Sequence, residues 1–351
     1  MIYLVATAIK HGKGGISTAL SGVVEVLKKE HHDVQLVESH QGNKSKWRSF
    51  RHAHKLLLSA RNGDVVWLHG ARWLSLLRKS LLALGPKRRG ATVVLHLHGI
   101  EAIHYLQHPL GRWLMQRVVN RCDGLVVLTP WWKRELGQYL TFPEARIHIM
   151  PNTLDQGLME LAKRPRTRSS IALNESVQML CMTRLEEGKN VAAAIATLQF
   201  LPRSYQLTIA GDGAEFERLK LLTQQLNLSD RVAFLGWVPY SEKNDVLRQM
   251  DVFLLPSELD SFGMGFLEAM AAGLPVIAVA YGPINDVVPK CAGELVASPT
   301  PQLLASAVTN VVCEHSERSD YAKRYVLKHY RADTVVQAFI EFVQQLDSTP
   351  E

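Results

Sequence analysis

Two cations five residues apart stand in a segment that could bind a diphosphate. Arg184 and Lys189 belong to residues 183–190, which follow a short apolar run. Arginine offers a planar fork of N–H donors and lysine a point charge, so together they can neutralise a pyrophosphate whose negative charge grows as its bond to a sugar breaks. A second interpretation stays open at this point, a solvated ion pair with Glu186 or Glu187.

Residues 255–277 carry the strongest motif of the chain. The sequence LPSELDSFGMGFLEAMAAGLPVI contains a strand, a glycine-bearing turn, a helix and a second strand. The expected helix start, at about residues 263–265, offers free backbone amides and a positive dipole end, which suit a phosphate. Asp260 and Glu268 could address different hydroxyls of one elongated ligand. The alternatives are an N-cap for Asp260 and surface solvation for Glu268, although the apolar neighbours of Glu268 indicate a buried helix in which it needs a ligand or partner.

Two apolar runs of the first half end in histidine and glycine, at His69 and at His98. Ligands of an open parallel sheet gather beyond the carboxyl ends of the strands, so these imidazoles are expected at the rim of a cleft. Strand alternation puts His96 on the same face as His98 and one step deeper. We interpret His98 as a site residue and His96 as a core residue, and both interpretations stay open for His69. No carboxylate or third histidine follows at helical spacing, so the sequence predicts no metal site.

A glycine-rich turn follows the first apolar run. Residues 12–17 read GKGGIS and lead into a helical pattern, so their amides could approach a phosphate or a sugar hydroxyl. The turn lacks the third glycine of a dinucleotide fingerprint and the Gly-Lys-Ser/Thr ending of a P-loop. A plain helix start explains it equally well.

These motifs follow the strands of two successive α/β series. The apolar runs are 2–6, 34–37, 65–68, 93–97 and 125–128 in the first half, and 178–182, 207–210, 232–234, 252–255 and 276–278 in the second. Alternation of such runs with helical patterns predicts parallel strands joined by crossover helices. We predict an α/β chain of two Rossmann-like parallel-sheet domains that face each other across a cleft.

The domain boundaries are expected where the composition changes. Residues 1–160 are predicted to form the N-terminal domain, residues 161–176 a linker and residues 177–331 the C-terminal domain. The closing segment 332–351 contains an amphipathic helix, which could pack back on the N-terminal domain.

Length and composition exclude several classes of protein. A chain of 351 residues with 47% hydrophobic and 21% charged residues suits two domains with sizeable cores, which excludes disorder, collagen-like repeats and a small disulfide-stapled fold. No apolar run approaches the roughly 20 residues that cross a bilayer, and no signal peptide is recognisable, so we expect a cytoplasmic protein. The four cysteines have no paired spacing and are predicted to be buried, reduced thiols.

The charge is distributed unevenly along the chain. Residues 1–165 hold 24 basic and 11 acidic side chains, and residues 166–351 hold 16 and 22. A basic first half indicates an anionic partner, which could be a membrane, a nucleic acid or a phosphorylated acceptor. Residues 72–82 could form a helix with one apolar face and a basic edge, suited equally to core packing or to an anionic membrane. No RNP-type or zinc-finger motif accompanies the basic clusters, so no nucleic acid is expected.

Taken together, these motifs resemble the retaining glycosyltransferases of family 4, also called glycosyl transferases group 1, which have the GT-B fold. The resemblance covers nearly the whole chain. It rests on Gly14-Gly15, His98-Gly99, the crossing motif PNTLD at 151–155, Arg184 with Lys189, AGDG at 210–213, Gly236-Trp237-Val238 and the acid pair Asp260 and Glu268. The first acid of that pair is usually Glu in the family, so the shorter Asp260 leaves the donor sugar open.

The resemblance implies a role for each matching residue. Arg184 and Lys189 would hold the donor diphosphate, Glu268 the ribose hydroxyls and Asp260 the donor sugar, while His98 would lie by the reacting carbon. Gly15 would line the cleft near diphosphate and acceptor, and the loop 236–238 would border the base. The implied catalytic set is His98, Asp260, Arg184 and Lys189, and the implied donor-binding set is Gly15, Arg184, Lys189, Gly236, Trp237, Val238, Phe262, Gly263, Met264, Gly265 and Glu268.

The resemblance also implies the reaction. We expect a retaining, metal-independent hexosyltransferase that uses a UDP- or GDP-sugar and holds no permanent cofactor. Its acceptor would be a glycan or a lipid-linked precursor of a bacterial surface polysaccharide such as lipopolysaccharide, exopolysaccharide or capsule, met by the basic first half at the anionic inner face of the membrane. Two alternatives stay open, a GT-B nucleotide-sugar epimerase and a non-catalytic basic module that binds membrane or nucleic acid.

Overall fold

The computed structural model describes residues 1–7, 15–39, 46–166, 171 and 175–348. The chain folds into two compact units and passes from one unit to the other at two places in the sequence. The first unit comprises Met1–Asp155 and Tyr330–Glu351, and the second comprises Gln156–His329. The structure therefore puts the first change of unit directly after the PNTLD motif, a few residues before the predicted linker.

A six-stranded parallel sheet forms the centre of the first unit. Its strands are β1 (Ile2–Ala6), β2 (Val34–Glu38), β3 (Val65–Gly70), β4 (Thr92–Leu97), β5 (Gly124–Val127) and β6 (Ile147–Ile149). The helices of this part of the chain are α1 (Gly15–Lys29), α2 (Lys46–Leu57), α3 (Trp73–Arg88), α4 (Glu101–Leu106), α5 (Pro109–Val119) and α6 (Pro130–Gly137). The strand order is β2-β1-β3-β4-β5-β6, so the winding direction reverses between β1 and β3.

A second six-stranded parallel sheet forms the centre of the second unit. Its strands are β7 (Val177–Met182), β8 (Tyr205–Ala210), β9 (Val232–Gly236), β10 (Val252–Leu255), β11 (Val276–Val279) and β12 (Gly293–Val296). The helices are α7 (Gln156–Lys163), α8 (Val191–Thr197), α9 (Phe216–Gln225), α10 (Tyr240–Gln249), α11 (Met264–Ala271), α12 (Ile284–Val287), α13 (Pro301–Cys313) and α14 (His315–His329). The strand order is β12-β11-β10-β7-β8-β9, so the winding direction reverses between β7 and β10.

The central strands are buried on both faces, which explains their sequence. Every residue of β3, β4 and β10 is buried, and each of these strands is a nearly continuous run of apolar residues. Parallel strands covered by helices on both sides require this composition, whereas a half-exposed strand would alternate. The prediction of an α/β chain with two parallel sheets is confirmed.

The closing helix α15 (Ala332–Ser348) belongs to the first unit. Its Val336, Phe339 and Phe342 are buried in the same core as β1 and α1, and the ring of Phe339 stacks on Trp67 with centroids 4.0 Å apart. With this segment included, the first unit holds 23 basic and 14 acidic residues and the second 17 and 19. The charge difference keeps its sign but is smaller than the two halves of the sequence suggest.

The cysteines divide into two kinds. Cys122 and Cys181 are buried as predicted, and burial raises the pKa of each thiol to about 12, which keeps both protonated and unreactive. Cys291 and Cys313 are exposed, so the prediction of four buried thiols is wrong for these two. Within the described ranges, no helix has both the length and the apolar composition of a membrane span.

Candidate functional site

Two loops meet in the second unit where the strand order reverses. The loop after β7 carries Arg184 and Lys189, and the loop after β10 carries Asp260. Hydrogen bonds join the loops, because the Glu258 amide donates to the Gly188 carbonyl at 3.0 Å and the Asn190 side-chain amide donates to the Pro256 carbonyl at 2.9 Å. The two segments that carry the sequence motifs therefore form one site at the carboxyl edge of the sheet, where ligands of such folds bind.

Glycines permit the close packing of these loops. Gly188 has a φ of 80°, and a Cβ at this position would lie 2.6 Å from Cδ1 of Leu259. At Gly211, in the loop after β8, a Cβ would lie 1.8 Å from the Thr183 carbonyl oxygen. A side chain at either position would push the loop after β7 out of place.

Lys189 and Asp260 form an ion pair within this site. Nζ of Lys189 donates to Oδ1 of Asp260 at 2.9 Å, and the side chains are only 8% and 19% exposed. The other carboxylate oxygen, Oδ2, is buried and has no hydrogen-bond partner among the described residues. Such an oxygen is costly unless a donor reaches it, so it is suited to accept from a ligand hydroxyl. Asp260 is not the N-cap of α11, because Gly263 holds that position with a φ of 83°.

Arg184 lies in a more solvated setting. Its side chain is 63% exposed, and Nη1 donates to Oε1 of Glu186 at 2.7 Å. This is the ion pair that the sequence left open as an alternative. Exposed pairs contribute at most about 1 kcal/mol, so the guanidinium can exchange Glu186 for an anionic ligand at little cost. Its contact with a diphosphate stays a prediction.

The amino end of α11 lies directly after the Asp260 loop. Phe262 and Gly263 are buried, whereas Met264 and Gly265 are partly exposed. The first amides of a helix have no intrahelical acceptor and carry the positive end of the dipole. The amino end of α11 therefore suits a phosphate, and the contact of residues 262–265 with it stays a prediction.

Glu268 is buried within α11 and has a partner that the sequence did not reveal. Nζ of Lys243, on α10, donates to Oε1 of Glu268 at 2.8 Å, and the two side chains are 19% and 7% exposed. The alternative of surface solvation is thus wrong for Glu268, and the expectation that the buried carboxylate needs a ligand or partner is confirmed. No spacing rule connects residues 25 apart on two helices, so only their packing shows the pair. Contact with ribose hydroxyls stays a prediction.

The loop after β9 lies beside the loop after β8. The Gly236 carbonyl accepts from the Gly211 amide at 2.7 Å, and Gly236 has a φ of 69°. Trp237 is 52% exposed and Val238 is partly exposed. An exposed indole offers a flat face for stacking on a planar ligand, which suits the predicted position at the edge of a nucleotide base.

Three histidines of the first unit form a buried cluster at the carboxyl ends of β3 and β4. His69 pairs with His96 across the two strands, and His98 follows directly after β4. Nδ1 of His69 and Nε2 of His98 share a hydrogen bond of 2.9 Å, and the rings of His96 and His98 have centroids 4.0 Å apart. Each residue is only 2–3% exposed. The side chains of His69 and His96 therefore lie in contact with His98 in one cluster.

Burial keeps these imidazoles neutral. It lowers the pKa of His98 to about 3, with a smaller contribution from the Lys79 ammonium group, and it lowers the pKa of His69 and His96 well below the ordinary value.

A third histidine, which helical spacing did not reveal, joins this cluster from a neighbouring strand. Ligand nitrogens of the three lie within 4.8 Å of one another. However, the His69–His98 contact is shorter than the about 3.3 Å between ligands of a tetrahedral ion, and Lys79 adds positive charge, so we retain the prediction of no metal.

The glycine-rich turn is only partly within the described chain. Gly12, Lys13 and Gly14 lie outside the described residues, and Gly15 begins α1. The predicted contact of Gly15 with diphosphate and acceptor therefore stays a prediction.

Acidification should destabilise the protein through His98. The folded-state pKa of about 3 lies below the ordinary value of 6.5, so the unfolded chain binds more protons between these two pH values. The stabilisation by the neutral ring is complete above about pH 6.5 and is lost as the pH falls toward 3. We expect the free energy of unfolding to fall by about 2 kcal/mol more in the wild type than in His98→Gln between pH 6.5 and 5. Urea denaturation measures this, and an equal pH dependence of the two proteins would contradict a neutral His98.

Comparison with known proteins gives the family of the chain. The model of Glycosyltransferase Family 4 matches residues 13–157, and the model of Glycosyl transferases group 1 matches residues 163–328. The two matched regions together contain strands of both sheets and all the predicted site residues.

Individual relatives are distant in sequence. A 2-deoxystreptamine glucosyltransferase from Streptomyces kanamyceticus is 27% identical over 207 residues, a match that covers 57% of this chain and 54% of that protein. A GDP-mannose-dependent alpha-(1-6)-phosphatidylinositol monomannoside mannosyltransferase from Mycobacterium tuberculosis is 24% identical over 308 residues, covering 83% of this chain and 78% of that protein.

Likeness to a solved structure extends over the whole chain. The crystal structure of HepE from Anabaena in complex with UDP superposes with a TM-score of 0.76 at 16% identity, covering 98% of this chain and 99% of that chain. At this identity the likeness shows the fold. From the two family matches, the two reversing parallel sheets and this likeness, we conclude that the chain belongs to the group 1, family 4 glycosyltransferases and has the GT-B fold.

Proposed function

We propose that this glycosyltransferase is a retaining hexosyltransferase, which moves a sugar from a UDP- or GDP-sugar to a glycan or lipid-linked acceptor of a bacterial surface polysaccharide. The observation that carries the proposal is the Lys189–Asp260 pair at the reversal point of the second sheet. A cation, a carboxylate oxygen without a partner among the described residues and a helix amino end share this edge. A nucleotide sugar presents a diphosphate next to a hydroxylated ring, which needs this combination of groups.

The printed names of similar proteins support a nucleotide-sugar donor. The mycobacterial relative is GDP-mannose-dependent, and the Anabaena structure contains UDP. They differ in the base, so the proposal includes both UDP- and GDP-sugars.

The departing diphosphate would be stabilised by fixed positive charge. Asp260 holds the Lys189 ammonium group in place, which leaves two further N–H donors on Nζ for phosphate oxygens. Arg184 would add a planar fork after releasing Glu186. Charge that is already positioned needs no reorganisation in the transition state, so we propose that these cations neutralise the leaving group without a divalent ion. A rate unchanged by EDTA would support this part of the proposal.

The sugar would be oriented by Asp260, whose Oδ2 can accept from a ring hydroxyl. The position of His98 by the reacting carbon, which the family resemblance implies, stays a prediction. We propose that the acceptor hydroxyl attacks the face from which the diphosphate departs, so that the anomeric configuration is retained. NMR of the product reads this configuration directly.

A thermal-shift panel with UDP, GDP and their sugars tests the donor class. A ligand that binds the folded state raises the melting temperature by mass action, so we expect one nucleoside diphosphate and its sugars to stabilise the protein. Release of the nucleoside diphosphate only in the presence of acceptor identifies a transferase, whereas interconversion of the sugar without acceptor identifies an epimerase. Absence of any stabilisation would contradict the proposal.

We propose that the first unit contacts an anionic membrane through α3 and α5. The exposed apolar side chains of this surface are Trp73 (40%), Leu74 (64%), Leu110 (68%) and Trp113 (51%). Arg117 lies over the Trp113 ring with its guanidinium carbon 4.1 Å from the centroid. Trp73 and Leu110 also line an apolar groove of about 190 Å³ between α3 and α5. Tryptophan and arginine together favour the boundary between lipid and water, and the unit has excess positive charge.

The structure corrects the predicted basic edge of α3. Arg72 is exposed as expected, but Arg78 is only partly exposed and Lys79 is 1% exposed. Lys79 therefore cannot face a membrane, whereas Arg72, Arg112 and Arg117 are exposed on or beside α3 and α5.

Replacing Trp73 and Trp113 with alanine should weaken vesicle binding by at least about tenfold, because each indole would bury apolar surface in the membrane. Co-sedimentation with phosphatidylglycerol–phosphatidylcholine vesicles measures this. Trp47→Ala is the matched control, since Trp47 is 67% exposed in the same unit but lies on α2. Binding that is unchanged in the double variant, or reduced equally in the control, would contradict this surface.

A further inference from the structure

Lys79 is a buried cation that the proposed reaction does not use. It lies on the inner face of α3 and is 1% exposed, although lysine is almost never fully buried unless it is paired. Its Nζ donates to Oγ1 of Thr7 at 3.2 Å and, in a short contact, to the carbonyl oxygen of His69. Burial, together with the neighbouring Arg78, lowers the pKa of Lys79 to about 7. The cation is thus solvated by dipoles alone.

Arg78 adds a second cation to the same edge. Its Nη2 donates to Oγ of Ser39 at 3.3 Å, and its Nε is buried without a partner among the described residues. No carboxylate of the described chain lies within 4 Å of either cation, and the charged group that acts most on Lys79 is Arg78 itself. The sequence of the segments that follow β1 and β2, 8–14 and 40–45, contains Lys and His but neither Asp nor Glu. Within the described ranges, neither Lys79 nor Arg78 therefore has a carboxylate partner.

The position of these cations is that of a ligand site. Thr7 follows β1, Ser39 follows β2, and His69 is the penultimate residue of β3. Lys79 therefore reaches the carboxyl edge of the first sheet at the point where its winding direction reverses. Gly70 allows α3 to approach, since a Cβ there would lie 2.1 Å from Cδ2 of Leu76. Thr7 is exposed, so Nζ lies one hydrogen bond below the surface.

The chemistry of the edge favours a phosphate. The hydroxyl of Thr7 accepts from Lys79 and keeps its own proton to donate, and Arg78 adds a second cation through its contact with Ser39. Because the neutral His69 and His98 share one hydrogen bond, one of their two remaining nitrogens, Nε2 of His69 or Nδ1 of His98, carries a proton that it can donate, and the other can only accept. Two cations, a hydroxyl and one imidazole N–H at the same edge of the sheet suit a tetrahedral anion with three or four oxygens better than a planar carboxylate with two.

We propose that Lys79 and Arg78 form a phosphate-binding site at the reversal point of the first sheet, and that the phosphate is carried by the acceptor. That the acceptor carries this phosphate rests on the proposed function, together with the expectation from the family resemblance that the basic first half meets the acceptor. The site is separate from the Lys189–Asp260 pair, which belongs to the second unit. The acceptor would then be a lipid-linked or soluble glycosyl phosphate.

A thermal-shift titration with inorganic phosphate tests the site itself. Wild-type protein should be stabilised by phosphate relative to sodium chloride of equal ionic strength, and Lys79→Met should lose this stabilisation. Lys79→Met should also melt higher than wild type without phosphate, because removal of an uncompensated buried cation is favourable. Arg78→Gln should weaken phosphate binding by about tenfold. Arg88→Met, at an exposed position of the same helix, should behave like wild type.

The outcomes separate a binding role from a structural one. A melting temperature of Lys79→Met below that of wild type, with the response to phosphate retained, would overturn the site. So would phosphate stabilisation that is equal in wild type and in both site variants.

UDP and GDP separate the acceptor from the donor. Stabilisation by these nucleotides should survive in Lys79→Met, and loss of that stabilisation would assign the cation to the donor and overturn the proposal. A protein that responds to phosphate but to no nucleotide would overturn the proposed function and leave the phosphate site standing.

The source of the phosphate is tested with vesicles. Phosphatidylcholine vesicles containing a polyprenyl phosphate should bind wild-type protein more strongly than vesicles of equal charge containing phosphatidylglycerol, and Lys79→Met should abolish this difference. Equal binding of wild type to both vesicles, with the response to inorganic phosphate intact, assigns the site to a soluble glycosyl phosphate.

Discussion

Replacing Lys189 with alanine should raise the barrier to sugar transfer by about 2 to 4 kcal/mol, a reduction of kcat/KM by a factor of about 30 to 1,000. The reason is that the ammonium group is fixed at the site by Asp260 before any diphosphate arrives. Arg184→Ala should reduce kcat/KM by a similar factor, because we expect the guanidinium to contact the same leaving group. Steady-state kinetics with saturating acceptor measures both.

The two variants should differ in stability. Removal of Lys189 leaves the Asp260 carboxylate largely buried without its partner, which should lower the free energy of unfolding by about 1 to 3 kcal/mol. Removal of Arg184 breaks only an exposed pair with Glu186 and should change stability by less than about 0.5 kcal/mol. The control is Lys290→Ala, since Lys290 is exposed near the amino end of β12, at the opposite edge of the sheet. Undiminished rates in both Lys189→Ala and Arg184→Ala would remove the diphosphate assignment.

Asp260→Asn should lower kcat by about a hundredfold and lower the affinity for UDP or GDP much less, because the amide oxygen of Asn can still accept from Lys189. The carboxylate is expected to address the sugar, which the free nucleotides lack, through the oxygen that has no partner among the described residues. Asp260→Glu should restore part of the activity, because it keeps the acid that the family usually has at this position. Initial rates and calorimetric titration with the nucleotide separate the two effects.

A different outcome would give Asp260 another role. If nucleotide affinity falls in parallel with kcat, the carboxylate acts only by positioning Lys189. Asp245→Asn provides the control, because Asp245 is an exposed acid of α10 in the same unit. Equal losses in that variant would indicate a general effect of charge.

The two sheets could be predicted because their strands are long apolar runs. β3, β4 and β10 are buried on both faces, so the sequence requires parallel strands covered by helices. The carboxyl-edge rule then brought Lys189 and Asp260 toward one site, 71 residues apart in the chain. Their direct ion pair was not predicted, because it depends on β7 and β10 being neighbours in the sheet.

The contacts that were missed depend on how elements pack side by side. Lys243 meets Glu268 only because α10 lies next to α11, and His69 joins His98 only because β3 lies next to β4. The burial of Lys79 did leave a signal in the sequence. It has the helical spacing of the buried Leu76, Ala83 and Pro86, so its phase on α3 indicates the inner face despite its charge.

The central claim is that the cations of the second unit bind the diphosphate of the donor, and calorimetric titration of UDP against uridine, and of GDP against guanosine, tests it most directly. For the base that binds, wild-type protein should prefer the diphosphate by at least about a hundredfold, and Arg184→Ala/Lys189→Ala should reduce that preference to a few-fold. A double variant that keeps the wild-type preference would contradict the account.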